Sequence, residues 1–233
     1  MSDKRVIAII PARGGSKGVV HKNIRLLGNK PLLAWTIDVV KKVEKIDRVI
    51  VSTDCDAIAD VAKSYGAEVN MRPADLATDK ALVIDVVKHL VGILRTQGEN
   101  ADIFLLLEPP APFRAECDVN ETLSLLLDND YDSVATFSEA PLNPYRAWSL
   151  KGDKPQLIIP NANPWKPRQC LPSAYKLNGA VYAFRYSRMP QNSPAMLFGR
   201  CGAVIMPNER SVDIDTELDF KLAELIVGEM NGR

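Results

Sequence analysis

The sequence predicts an α/β fold, a three-layer sandwich whose mainly parallel sheet carries helices on both faces. Two observations carry that expectation. Short apolar runs rich in β-branched residues alternate with helical stretches through the first part of the chain, up to Phe137. One of these runs, residues 103–107, is apolar at every position, as a strand covered on both faces must be. With 233 residues, 46% of them hydrophobic, the chain is long enough to bury one sizeable core and reads as a single domain over 1–233.

Residues 6–10 are a continuous apolar run ending at Pro11 and predict the first strand. Leu33, Ile37 and Val40 then recur at helical spacing behind Pro31, a residue tolerated in a helix's first turn, which predicts a helix from 31 to about 46. A strand over 48–52 follows. Next comes a helix opened by Asp54 and Asp56, carried by Ile58, Ala59, Ala62 and Tyr65, and closed by Gly66. After a strand at 67–71, the series Leu82, Val83, Val86, Val87, Leu90, Val91 and Leu94 marks a strongly amphipathic helix. The strand at 103–107 leads into a loop stiffened by Pro109, Pro110 and Pro112, then a helix near 116–128 and a strand at 133–137. There the alternation breaks. From 138 to 175 the chain carries Pro141, Pro144, Pro155, Pro160, Pro164, Pro167 and Pro172 together with Trp148 and Trp165, which fits an interface-forming excursion better than a solvated loop. Strand character returns at 179–184 and 203–206. The last helix begins at Thr216, with Leu218, Leu222, Leu225 and Ile226 expected on its inner side.

Lys plus Arg number 29 and Asp plus Glu 29, a formal net charge of zero that argues against a general nucleic-acid binder. No apolar run reaches the length of a membrane span, and the first residues are not followed by a signal-peptide pattern, so a cytoplasmic protein is expected. Cys55, Cys117, Cys170 and Cys201 stand singly without C-x-x-C spacing, so neither a zinc site nor a disulfide framework is expected.

Against that neutral background, residues 12–30 hold five basic side chains (Arg13, Lys17, Lys22, Arg25, Lys30) and no acidic one. Gly14, Gly15 and Gly18 let the backbone approach a ligand with its N–H groups turned toward it, while Arg13 and Lys17 add full charges, an arrangement suited to a polyphosphate. RGGSKG matches neither the Walker spacing nor the dinucleotide fingerprint. Taken alone, GGSKG is equally an ordinary basic turn after a strand. Near the other end of the chain, Asp213 and Asp215 are one residue apart, so in an extended segment both carboxylates project from one face and can share a cation. Hard oxygen ligands beside phosphates point to Mg²⁺. The alternative is that Asp215 caps the helix starting at Thr216 while Asp213 is solvated.

ARGGSKG (12–18) followed by KNIR (22–25) resembles the N-terminal signature of the acylneuraminate cytidylyltransferases, also called CMP-sialic acid synthetases. The resemblance recurs in order at VIVSTD (49–54), MRPADLATD (71–79), PRQCLPSAYKLNGAVYA (167–183) and VDIDTELDF (212–220), from one end of the chain to the other. It implies a Rossmann-like sandwich with a dimerisation arm inserted at 138–175, and a homodimer or dimer of dimers. The implied reaction joins CMP from CTP to a sialic-acid-like 3-deoxy-2-ulosonic acid, with Mg²⁺ as cofactor and pyrophosphate released. Carried over position by position, the resemblance gives the nucleotide to Ala12, Arg13, Gly14, Gly15, Ser16, Lys17, Asn23 and Arg72. It gives catalysis to Arg13, Lys17, Lys22 and Asp215, the metal to Asp213 and Asp215, and the acidic keto sugar to Glu108, Arg168 and Lys176.

Two departures bear on the sugar. Where many members read LLQPTSPLR this chain reads LLEPPAPFR, so Glu108 stands where a glutamine would face the sugar, and an ionised carboxylate offers acceptors only. Residues 80–83 replace a threonine- and serine-rich run near the nucleotide. The expected substrate is therefore a sialic acid or a legionaminic, pseudaminic or octulosonic relative. A non-catalytic nucleotide-binding protein of the same fold is the rival from another class, and the joint presence of Arg13, Lys17, Asp213 and Asp215 counts against it.

Overall fold

The strands and helices predicted up to Phe137 all form in the computed structural model, which describes residues 5–231. They are β1 (Val6–Pro11), α1 (Leu32–Val40), β4 (Arg48–Thr53), α2 (Asp56–Ser64), β5 (Glu68–Met71), α3 (Val83–Thr96), β6 (Ile103–Leu106), α4 (Glu116–Asp128) and β7 (Ser133–Glu139), with a two-residue pair β2 (Leu26–Leu27) and β3 (Lys30–Pro31) after the basic loop. Beyond them lie β8 (Trp148–Lys151), β9 (Lys154–Leu157), β10 (Tyr175–Arg185), β11 (Cys201–Ile205) and α5 (Glu217–Asn231). Seven strands make one sheet in the order β11-β7-β10-β6-β1-β4-β5. Every neighbouring pair is parallel except the two that involve β10, which runs antiparallel to both β6 and β7.

Alternate side chains of each central strand enter different cores. Ile103 and Leu105 of β6 pack with Val119, Leu123 and Leu126 of α4, while Phe104 and Leu106 pack with Val87, Leu90 and Leu94 of α3. A third cluster seats Leu33 and Ile37 of α1 and Ile58 and Ala62 of α2 on Ile10 and Val51. Helices therefore cover both faces, as expected. No helix among the described residues is long and apolar enough to cross a membrane.

Four expectations need correction. The helix predicted to about 46 ends at Val40, although Val43 stays buried. Tight turns replace it, because Asp47 must come back beside β1, where its Oδ2 accepts the Val6 N–H at 2.7 Å. The predicted strand at 179–184 starts at Tyr175 and contains a register shift between Leu177 and Tyr182, and the one expected over 203–206 is 201–205. The last helix turns the other way from expectation. Phe220, Ala223 and Val227 are its buried side, whereas Leu218, Leu222 and Leu225 are exposed and Ile226 is only half-buried.

Residues 140–174 leave and rejoin the sheet at one point, where the Ala140 N–H donates to the Ala174 carbonyl at 2.8 Å. Within this excursion β8 and β9 pair as an isolated antiparallel hairpin.

Candidate active site

Each segment that builds the cleft leaves the sheet at the same edge. Strands β1, β4, β5 and β6 end there, in the basic loop, Asp54, Arg72 and Glu108 respectively, and this carboxyl-end crevice is where open α/β sheets bind ligands. The cleft encloses about 450 Å³ and is lined by Arg13, Ser16, Lys17, Gly18, Lys22, Asn23, Arg72, Glu108 and Asp215, with Leu76, Thr78, Asp79, Ala81, Val83 and Val86 opposite.

The basic loop is held in shape from behind. The Asn23 amide donates to the Arg13 carbonyl at 2.9 Å, and Asp54 Oδ1 accepts the Gly14 N–H at 3.0 Å. The Ala12 N–H donates to the Ser52 carbonyl at 2.9 Å, so it is already spent on the sheet and is not free for a nucleotide. Asn23, almost fully buried, both supports the loop and lines the cleft. Gly18 serves a different approach from the one expected. A Cβ there would lie 1.9 Å from the Asp215 carbonyl oxygen, so its missing side chain lets the loop touch the aspartate segment directly. Lys22 fastens the same contact, its Nζ donating to the Ile214 carbonyl at 2.6 Å and to Asp215 Oδ1 at 3.3 Å.

Asp215 is not the helix cap. Asp219 Oδ2 accepts the Thr216 N–H and hydroxyl, both at 2.7 Å, and the Asp215 N–H at 3.1 Å, while Thr216 Oγ1 accepts the Asp219 N–H at 3.3 Å. This reciprocal cap serves the start of α5 and leaves the Asp215 carboxylate to Lys22 and the cleft. Asp213 is exposed and is not among the residues lining the cleft; the surrounding protein and Asp215 hold its carboxyl above the ordinary range, and Lys22 and Lys176 draw it partly back. Among the described residues no cluster of three or more His, Cys, Asp or Glu side chains could hold a metal by itself. Two carboxylates beside a glycine-rich basic loop still fit Mg²⁺, a cation that takes few protein ligands and completes its shell with other oxygens.

Glu108 stands next to this pair. Burial first, then Asp213 and Asp215, push its carboxyl up to about 7, against the pull of Arg114 and Lys22. Gly179, at φ +68°, makes room for it, since a Cβ there would come within 2.9 Å of Glu108 Oε2. The loop below is pinned by Arg114, which is fully enclosed and donates to Thr36 Oγ1 at 2.5 Å and to the Glu108 carbonyl. Burial, and then Glu108 and Asp213, raise the Tyr182 phenol to about 12, which marks Tyr182 as a further group at this end.

Arg72 is almost completely buried, lies 3.9 Å from Asp54 and lines the cleft, and its Nε finds no partner among the described residues. Arg168 does not line the cleft. It is exposed and paired with Glu139 at 3.0 Å. Lys176 is also outside the lining but close enough to lower the Asp213 carboxyl. Reading the sequence alone did not bring Asp54, Asp79, Arg114 and Tyr182 to this part of the molecule. Asp54 and Asp79 close the VIVSTD and MRPADLATD blocks, and that shared terminal aspartate was the available signal.

A family model described as cytidylyltransferase matches residues 7–137. The chain belongs to the cytidylyltransferase family. Its relatives include an N-acylneuraminate cytidylyltransferase of Escherichia coli, 36% identical over 97% of this chain, of which the chain spans only 53%. A CMP-N,N'-diacetyllegionaminic acid synthase of Legionella pneumophila is 33% identical over 96% of both chains. The post-translational flagellin modification protein B of Campylobacter coli is 32% identical over 97% of this chain and 96% of its own. Among solved structures, a CMP:2-keto-3-deoxy-manno-octonic acid synthetase complexed with CTP superposes with a TM-score of 0.68 at 19% identity, covering 97% of this chain and 99% of the other, a likeness of fold.

Proposed function

We propose that this cytidylyltransferase is a Mg²⁺-dependent enzyme that joins CMP from CTP to a 3-deoxy-2-ulosonic acid of the sialic or legionaminic type, releases pyrophosphate, and works in the cytoplasm. The observation that carries the reading is the convergence of Arg13, Lys17 and Lys22 with Asp215 in one cleft, beside a buried arginine with an unpaired donor. Arg13 and Lys17 receive the outer phosphates. Lys22, beside Asp215, faces the α-phosphate, where charge shifts as the bond to pyrophosphate breaks. Arg72 supplies its free donor to an acceptor on the cytosine ring. The sugar's anomeric oxygen attacks the α-phosphorus in line with the departing pyrophosphate, and Asp215, free of the helix cap, takes the hydroxyl proton. Asp213 and Asp215 would hold Mg²⁺, which neutralises phosphate charge when bound.

Glu108 and Tyr182 form the sugar end, supported by their enclosure next to Asp213. Lys176 flanks it, and Arg168 would have to leave Glu139 to pair with the sugar carboxylate. The relatives named for sialic and for legionaminic acid match over nearly all of this chain at similar identity, so the reading keeps both substrate types. Residues 138–175 are proposed as the arm of a homodimer, or of a dimer of dimers. Pyrophosphate release from CTP, with and without Mg²⁺, across a panel of eight- and nine-carbon keto sugars is the deciding test. Release with one of them supports the proposal; CTP binding without turnover on any sugar would move the chain to the non-catalytic reading.

A further inference from the structure

The two cations assigned to the outer phosphates share a carboxylate partner within the chain. Asp79 Oδ1 lies 2.9 Å from Arg13 Nη1, and Asp79 Oδ2 contacts Lys17 Nζ. One carboxylate thus offers one oxygen to each cation, as a bridging phosphate group would. The Lys17 hydrogen bond first, and then Arg13, hold the Asp79 carboxyl below its usual range, so it is an anion at neutral pH. Asp79 is carried on the stretch between the turn Ala74–Ala77 and α3, which also gives Thr78 and Ala81 to the cleft wall, with Leu76 of the turn and Val83 of α3 on either side.

We propose that Asp79 is an internal counter-anion that the phosphate end of the nucleotide displaces, and that this competition limits how tightly the cleft holds polyphosphates while leaving nucleosides unaffected. The inference rests on the reading of Arg13 and Lys17 as phosphate-binding residues. If Asp79 stayed in place it would hold a negative charge against the incoming phosphates and take up a donor from each cation, so binding requires that it leave. A nucleoside has no oxygen to offer in exchange. A monophosphate replaces little more than the carboxylate gave, whereas a triphosphate or pyrophosphate brings several charges and can engage both cations at once. Apparent affinity is then reduced by the fraction of molecules in which Asp79 is seated. Lys17 and Asp79 are solvent-exposed and Arg13 is half-buried, so the seating is weak enough to be reversed at each turnover. Once pyrophosphate has gone, the return of Asp79 opposes its rebinding.

The test is calorimetric titration of wild type, Asp79→Asn and Asp79→Ala with pyrophosphate, CTP, CMP and cytidine in metal-free buffer. Removing the counter-anion should tighten pyrophosphate and CTP by about three- to tenfold, the scale of two exposed ion pairs. CMP should gain less and cytidine nothing. The advantage should shrink as salt is raised, because both competitors are screened. Structural damage would loosen binding, so tightening is a readout that a merely structural Asp79 does not give. Pyrophosphate affinity that is unchanged or weaker in both variants overturns the proposal. Lys17→Ala and Arg13→Ala separate the two layers of the argument: if they leave pyrophosphate binding intact, the phosphate reading itself fails and the counter-anion with it. If they weaken it while the Asp79 variants show no gain, only the counter-anion is wrong.

Discussion

Gly18 is the point at which the basic loop and the aspartate segment meet, and the contact is backbone against backbone. With only 1.9 Å available for a Cβ, Gly18→Ala must push the loop and Asp215 apart. Displacements near 1 Å in a reacting constellation cost on the order of a hundredfold in rate. We expect Gly18→Ala to lose about that much turnover while its thermal midpoint stays within a few degrees of wild type; full activity would mean that the two segments work independently. Asp213→Ala and Asp215→Ala should each lose most turnover and stay folded, since neither side chain belongs to a hydrophobic cluster, and near-normal rates at limiting Mg²⁺ would exclude the two-aspartate metal site. Glu108→Gln has two readouts. A carboxyl whose folded value is raised from 4.5 to about 7 contributes stability that is complete below 4.5 and is lost as pH rises through about 7. In metal-free protein the glutamine variant should therefore gain in thermal midpoint over wild type progressively from pH 5 to pH 8. It should also shift the ratio of catalytic efficiencies toward N-acetylneuraminic acid by about tenfold, the scale of one polar group left unpaired, without moving the Michaelis constant for CTP. That Arg13, Lys17, Lys22 and Asp215 share one cleft was legible because each lies in a compact motif, whereas Asp213 stays outside the lining. Asp54 and Tyr182 were not legible, because each meets the site from a distant part of the chain, and Arg114 was not, because the Thr36 hydroxyl that anchors it lies on α1.

At the scale of elements, α5 shows how one periodicity can support two answers. Leu218, Leu222 and Leu225 repeat at helical spacing, and so do Phe220, Ala223 and Val227, on opposite sides of the helix. The second set wins because Phe220 fills the space beside Val19, Leu27 and Leu32 and takes the Arg25 guanidinium over its ring at 4.0 Å, contacts that depend on the basic loop's position. The early end of α1 has the same character: Val43 keeps the helical spacing but is buried by a turn. The central strands offered no such ambiguity, since both of their faces are apolar. Phe184 of β10 stacks on Phe104 of β6 with ring centroids 6.1 Å apart, fully enclosed. Phe184→Ala should cost about 3–5 kcal/mol in chemical denaturation, with the binding of CTP retained in the folded fraction. At the other end of the sheet Arg48 bridges Glu68, at 2.6 Å, and Glu99, at 3.0 Å. The Arg48 hydrogen bond holds the Glu68 carboxyl below 4.5, so this contribution is present above that value and fades as pH falls below it. Arg48→Met should flatten that part of the acid-unfolding curve, and a curve parallel to wild type would remove Glu68 as its source.

At the scale of the whole molecule, the direction of β10 follows from the excursion before it. The chain leaves the carboxyl edge at the end of β7 and comes back to the same place at Tyr175, so the strand that follows can only run down the sheet, antiparallel to β6 and β7. Sequence periodicity carries no sign of direction, which is why a mainly parallel sheet was legible and its single reversed strand was not. The excursion itself is under-packed for an isolated chain. Trp165 is 86% exposed and Leu150 73%, with Leu142, Trp148 and Ile158 also open to solvent, an apolar concentration that a monomer would leave facing water. Because the excursion starts and ends beside Glu139 and Tyr175, a partner seated on it would lie near the Arg168–Glu139 pair. Two-fold pairing of identical arms is the simplest way to cover such a surface. Light scattering at micromolar concentration should give twice the chain mass for wild type, or four times if dimers pair again. Leu150→Glu with Trp165→Glu should give a single chain mass with unchanged far-ultraviolet dichroism, because neither side chain supports the sheet. A monomeric wild type would reject the arm as an interface. A double variant that remains a dimer would move the interface elsewhere, with the outward leucines of α5 the next surface to substitute.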